Sequence, residues 1–176
     1  GAFHDLRWPE GDIIGLCAWR TTLAESCTGR VDRLGQSWGR GPSRFALDNW
    51  HLDKLVQLDG RARLIGAIEN THQPTYLTEK LFDAFACGAV PLYFASPRHR
   101  VHGLDLPEGA WINLYGLSPQ AAAERVAQGV DPATHEAYAA AQRHLAVLLG
   151  EARTWVRERA RLAHALQEAL TEVAET

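Results

Sequence analysis

Four short apolar runs limit what this chain can fold into: residues 12–18, 62–68, 89–94 and 111–114. Each is too short for an ordinary helix and lacks strict alternation, the pattern of strands covered on both faces in a parallel sheet. Between the first two, Phe45, Leu47, Trp50, Leu52, Leu55, Val56 and Leu58 form a helical stripe, with Ser43 as candidate cap and Asp59-Gly60 as the stop. Thr78 opens a second helix, which Gly88 ends. Residues 19–41 read as loop, with a short helical piece near Leu23 and a short strand near Val31. From Ser118 the chain is rich in Ala, Leu, Glu and Arg, and breaks at Gly129, Pro132 and Gly150 divide it into about three helices. The expectation is an α/β fold with three parts. These are a lead-in at 1–11 with a turn at Trp8-Pro9-Glu10-Gly11, a Rossmann-like parallel sheet flanked by helices over 12–128, and a helical C-terminal extension over 129–176.

Composition narrows the function. A net charge of −3 with scattered basic residues argues against nucleic acid as a partner. No apolar run reaches the roughly 20 residues that span a bilayer, and no basic-then-apolar leader opens the chain, so a cytoplasmic location is expected, with peripheral membrane attachment of a longer protein left open. The three cysteines have no metal-like spacing, and Cys17 and Cys87 are expected to be buried small hydrophobes. Only Lys54 and Lys80 are Lys among 18 basic residues, which draws attention to positions where a compact ammonium replaces a planar guanidinium.

In doubly wound sheets, ligands sit beyond the carboxyl ends of strands. The segment from Glu69 to Lys80 runs from such an end into a helix N-terminus. Unpaired N–H groups and the helix dipole favour an anion there, a diphosphate included. Lys80 adds a cation with three donors, Glu79 an acceptor pair suited to ribose hydroxyls, and Asn70 and Tyr76 an amide and a phenol. Read from the residues alone, plain helix entry is an equal alternative, since Thr78 with a following acid is an ordinary cap and Lys80 could decorate solvent.

The runs Glu69-Asn70-Thr71, Tyr76-Leu77-Thr78-Glu79-Lys80-Leu81-Phe82 and Gly88-Ala89-Val90-Pro91-Leu92 resemble, in order and spacing, the signature of glycosyltransferase family 10, the α-1,3/4-fucosyltransferases. Arg30-Val31-Asp32-Arg33-Leu34-Gly35 is similar to a further short segment of that family, and Ser96-Pro97 and Ala110-Trp111-Ile112-Asn113 follow where it has a turn and a strand. The resemblance implies one lobe of a GT-B type enzyme that binds GDP-fucose and passes fucose, with inversion, to a sugar hydroxyl. It implies that Glu79 holds the ribose, Lys80 the diphosphate, that Asn70, Tyr76 and Thr78 line the site, and that Arg20, with Arg30 as the alternative, neutralises the diphosphate. No Asp-x-Asp pair accompanies them, so no metal and no cofactor are expected beyond the donor substrate.

An inverting transferase needs a general base, which the family carries on its N-terminal lobe. Residues 1–12 cannot form a lobe, and Asp5, Glu10 and Asp12 are not read as replacements, so no catalytic residue is assigned here and the glycan acceptor is expected on a lobe this sequence lacks. A non-catalytic GDP-sugar-binding module, a relative using another GDP-sugar, and a purely structural domain stay open. His99, His102 and Asp105 could be drawn as a metal site but are read as a solvated turn. Trp38, Trp50 and Trp111 could stack on a base or sugar, with core packing preferred for Trp50 and Trp111. The last helix has apolar positions at Trp155, Leu162, Leu166, Leu170 and Val173. They are expected to dock on this domain, with the missing lobe or another copy of the chain, a homo-oligomer through the C-terminal helices, as the alternatives.

Overall fold

The computed structural model describes residues 5–34, 38–39 and 42–174. Three parallel strands form the central sheet in the order β3 (Leu64–Gly66), β5 (Val90–Tyr93) and β6 (Ile112–Asn113). These are three of the four apolar runs, trimmed to their paired residues. Side chains of β5 alternate between two cores: Val90 and Leu92 pack with Leu16, Trp19 and Leu23, while Tyr93 packs with Leu81, Phe85 and Leu145. Helices α1 (Cys17–Ser26) and α4 (Pro119–Ala127) therefore cover one face, and α3 (Glu79–Ala86) and α5 (Pro132–Gly150) the other. This is an α/β protein with a parallel sheet flanked by helices.

The first apolar run does not join that sheet. Only β2 (Ile13–Gly15) is strand, and it pairs antiparallel with β1 (Arg7–Trp8) and with β4 (Thr71–His72) in a separate sheet. The run ends early because α1 begins at Cys17, where the Asp5 carboxylate accepts hydrogen bonds from the N–H groups of Ala18 (2.9 Å) and Trp19 (2.7 Å). Asp5 does the work of a helix cap from a remote position in sequence. Starting α1 there also leaves Cys17 exposed, against expectation, whereas Cys87 is buried as expected. Residues 31–34 carry no regular element, so the strand expected near Val31 does not form; Gly35 and Gly41, which bound the motif and loop read there, lie outside the described residues.

The helix read from Ser43 is split into a 3-10 turn at Arg44–Ala46 and α2 (Trp50–Leu58). Asn49 caps α2 by accepting from the N–H of Leu52 at 3.1 Å. Its stripe is largely uncovered, with Leu52 and Val56 exposed. The three expected C-terminal helices are present as α4, α5 and α6 (Ala152–Ala174). Docking of α6 on this domain does not occur: none of its residues is buried, and the apolar positions named above all face solvent. Among the described residues no helix is long and apolar enough to cross a membrane.

Candidate functional site

Past the carboxyl end of β3, Ala67 and Ile68 are buried, and Glu69 follows them into the interior at 3% exposure. A buried carboxylate persists only when it is paired and hydrogen-bonded. Glu69 is both. Its Oε1 accepts from the Thr78 N–H at 3.0 Å and from the Thr78 hydroxyl at 2.7 Å, and its Oε2 accepts from the Lys80 ammonium at 2.7 Å. Lys80 also donates to Thr78 Oγ1 at 3.1 Å, and Glu79 Oε1 lies 3.9 Å from the same ammonium. Thr78 is thus the residue before α3, as expected, but its hydroxyl turns to Glu69 instead of capping the helix.

The next residue, Asn70, holds the second cation. Its side-chain oxygen accepts from the Arg20 guanidinium, and its carbonyl accepts from the N–H of Leu16 at 2.9 Å, at the start of α1. Two consecutive residues of one loop therefore carry the heads of Lys80 and Arg20. Arg30, the alternative to Arg20, is exposed in the bend after α1. Tyr76 is exposed at its side chain and tied at its backbone, its carbonyl meeting His99 Nε2 at 3.0 Å. One residue pair earlier in the loop, the Pro74 carbonyl accepts from Arg100 N–H at 2.7 Å.

Lys80 and Glu79 are 25% and 38% exposed at their side chains, so the cluster is partly open to solvent. Burial works to raise the Glu79 carboxyl, but its own backbone N–H at the helix start, the Lys80 charge and the Thr78 side chain outweigh it and hold it below the ordinary 4.5. Glu79 is an ionised acceptor at neutral pH. Among the described residues His51, Glu79 and Asp83 bring ligand atoms within 4.8 Å of one another, but Asp83 is already paired with Lys54. A cation there would have to displace that ammonium.

Sequence reasoning missed three supports. Glu69 has no role of its own in the sequence reading; the signal for it is an acid that closes an apolar run. Against the expectation of a solvated turn, His99 is 2% exposed, bonded at Nε2 to the Tyr76 carbonyl and accepting at Nδ1 from the Val101 N–H at 3.1 Å. His102, whose ring meets the Ser96 carbonyl at 2.9 Å, is likewise committed to the backbone, so the pair braces the loop rather than binding metal. Asp12, at φ 52°, accepts from the Ser96 hydroxyl at 2.5 Å and sits 3.4 Å from Nε2 of the buried His72. Burial raises the Asp12 carboxyl, yet Ser96, His72 and the Arg98 charge outweigh it and hold it below 3.8. Of the tryptophans, Trp38 lies under the Arg33 guanidinium at 5.9 Å, Trp50 is half-buried beside the Lys54 ammonium at 5.4 Å, and Trp111 packs edge-on to Tyr93 at 5.9 Å.

The brace has a pH signature. Burial pushes the His99 imidazole below its ordinary 6.5, helped by nearby His72 and His102, while the Tyr76 carbonyl and Glu69 pull it up without winning. The unfolded chain therefore takes up the proton first as pH falls. Stability is expected to be level above about 6.5 and to decline below it, toward the lower folded value. Asp12 contributes to acid loss only below its ordinary 3.8, outside that window. Urea midpoints at pH 7.5, 6.0 and 5.0 check this, and His99→Gln is expected to flatten the series; an equal slope in the variant would assign the loss elsewhere.

The family model described as glycosyltransferase family 10 (fucosyltransferase) C-term matches residues 29–170, most of the chain. No curated protein and no solved structure matches it.

Proposed function

This chain belongs to glycosyltransferase family 10 (fucosyltransferase), matching its C-terminal domain, and on that footing we propose that it binds GDP-fucose as the donor lobe of a GT-B type transferase. Lys80, Arg20 and the N-terminus of α3 take the diphosphate, Glu79 takes the ribose hydroxyls, and Asn70, Tyr76 and Thr78 line the remaining contacts. The reading rests on one observation: the buried Glu69 carboxylate fixes both Thr78 and the Lys80 ammonium where α3 opens. Helix-end donors and a cation are thereby held in place before a ligand arrives.

The departing GDP gathers negative charge as the bond to the sugar breaks, and positively charged groups fixed in advance lower that barrier. Lys80 and Arg20 supply this charge, and the reading requires neither metal nor cofactor. Transfer proceeds with inversion, the acceptor glycan and the general base belonging to a second lobe outside these residues. Glu69 is already employed in holding Lys80 and Thr78, while Asp5 and Asp12 hold α1 and Ser96. That favours, as a second reading, a module that binds a GDP-sugar without transferring it.

Calorimetry separates these. GDP and GDP-fucose are expected to bind in the presence of EDTA, with GMP at least about tenfold weaker because it lacks the second phosphate. Absence of heat from a folded sample removes the donor assignment. Binding without transfer or hydrolysis in the full-length protein, with acceptor sugars supplied, selects the second reading.

A further inference from the structure

Glu79 and Asp83 stand four residues apart on α3, a spacing that puts both carboxylates on one face of the helix. His51, exposed in the first turn of α2, reaches the same place, and the three residues bring ligand atoms within 4.8 Å of one another. The two helices are tied where it matters. Gly60, just past α2, donates its N–H to the Cys87 carbonyl at the end of α3 at 3.0 Å, and Lys54 of α2 pairs with Asp83.

Two acids on a helix are ordinarily a solvated face, but these already hold cations. Lys54 sits on Asp83 and the Lys80 ammonium is 3.9 Å from Glu79, so both lysines of the chain meet here. They do so against the positive end of α3. Three carboxylates, Glu69, Glu79 and Asp83, still face two ammoniums, one negative charge in excess. Lys54 also lies 5.4 Å from the centre of the Trp50 ring, a contact it keeps on leaving Asp83. An imidazole joined to two carboxylates suits a transition dication such as Zn2+, whereas Mg2+ and Ca2+ take oxygen ligands. Ligand atoms around a four-coordinate zinc stand roughly 3.4 Å apart. Rotation of three side chains that all touch solvent closes that difference.

We infer that His51, Glu79 and Asp83 form a site for Zn2+ or a like transition dication, which displaces Lys54 and, by taking the Glu79 carboxylate, opposes binding of the donor. The opposition rests on the assignment of Glu79 to the ribose; the site itself does not.

Calorimetry of the complete chain with ZnCl2 from about 1 to 100 μM, a range that spans modest affinities, tests the site. Zinc is expected to bind and Mg2+ to give no heat. His51→Ala lowers zinc affinity by at least about tenfold, the least that loss of a partner at a metal site costs. The exposed His51 makes misfolding of that variant no concern. His164→Ala, which removes the His164–Glu168 pair on α6, leaves the affinity unchanged. Lys54→Gln tightens zinc by up to about fivefold, the worth of a solvent-touched ion pair that no longer has to break. Saturating zinc weakens GDP binding in the native chain but not in His51→Ala, which binds GDP normally in EDTA. No zinc binding, or binding indifferent to His51→Ala, overturns the site, and a Lys54 variant that binds no tighter overturns the displacement. Zinc held through His51 with GDP affinity unchanged or raised overturns the opposition. Zinc held through His51 in a chain that binds no GDP in EDTA upholds the site and removes the donor reading, with the opposition that rests on it.

Discussion

Lys80→Ala lowers the affinity for GDP by about 10- to 100-fold, the effect of losing a charge-assisted hydrogen bond to a phosphate. The ammonium is the cation held at the opening of α3, 2.7 Å from Glu69, and no planar fork could take its place without disturbing Thr78, to which it also donates. Lys80→Arg is therefore expected to recover only part of the loss. Calorimetry with GDP and with guanosine makes the comparison: the diphosphate ligand should lose affinity and the nucleoside should not. Equal loss for both ligands would mean that the substitution damaged the fold rather than the phosphate contact, and no loss for either would remove Lys80 from the site.

Glu69→Ala destabilises the domain by about 2–3 kcal/mol, chiefly because three donors lose their acceptor at once. The Thr78 N–H and hydroxyl are left in a partly buried position, while Lys80, being one-quarter exposed, recovers some hydration and keeps the cost below that of a fully enclosed pair. Urea unfolding with an unchanged slope measures it. Glu79→Ala, with its side chain 38% exposed, is the control and should change stability by no more than about 0.5 kcal/mol. A Glu69 variant as stable as that control would mean that the buried carboxylate does not organise the entrance to α3.

What could be read from the chain, and what could not, divides by the distance over which the determining contact acts. The three parallel strands were legible because 64–66, 90–93 and 112–113 sit inside continuous apolar runs, and the C-terminal helices because Pro and Gly mark their ends. The start of α1 was hidden, since its capping group is Asp5, contributed from across a strand pair. The antiparallel placement of β2 was hidden too: its partner β4 is two residues, Thr71–His72, with no periodicity to betray it. Amphipathic patterns at α2 and α6 announced apolar faces correctly but could not say that this domain leaves them bare. In the site, Arg20, Asn70, Thr78, Glu79 and Lys80 were named from the sequence, and the structure adds the spatial join of α1 to the loop, Arg20 to Asn70. The bracing by His99 and the triple engagement of Glu69 depend on side-chain geometry that residue order does not encode.

The heads of Lys80 and Arg20 are moored to adjoining residues, Glu69 and Asn70. Adjoining Cα atoms stand about 3.8 Å apart whatever the surroundings do. The two cations are thus anchored to neighbouring residues of one short loop segment, so a shift of that segment acts on both contacts. A substitution that displaces this segment is expected to disturb the Lys80 and Arg20 contacts together rather than one at a time.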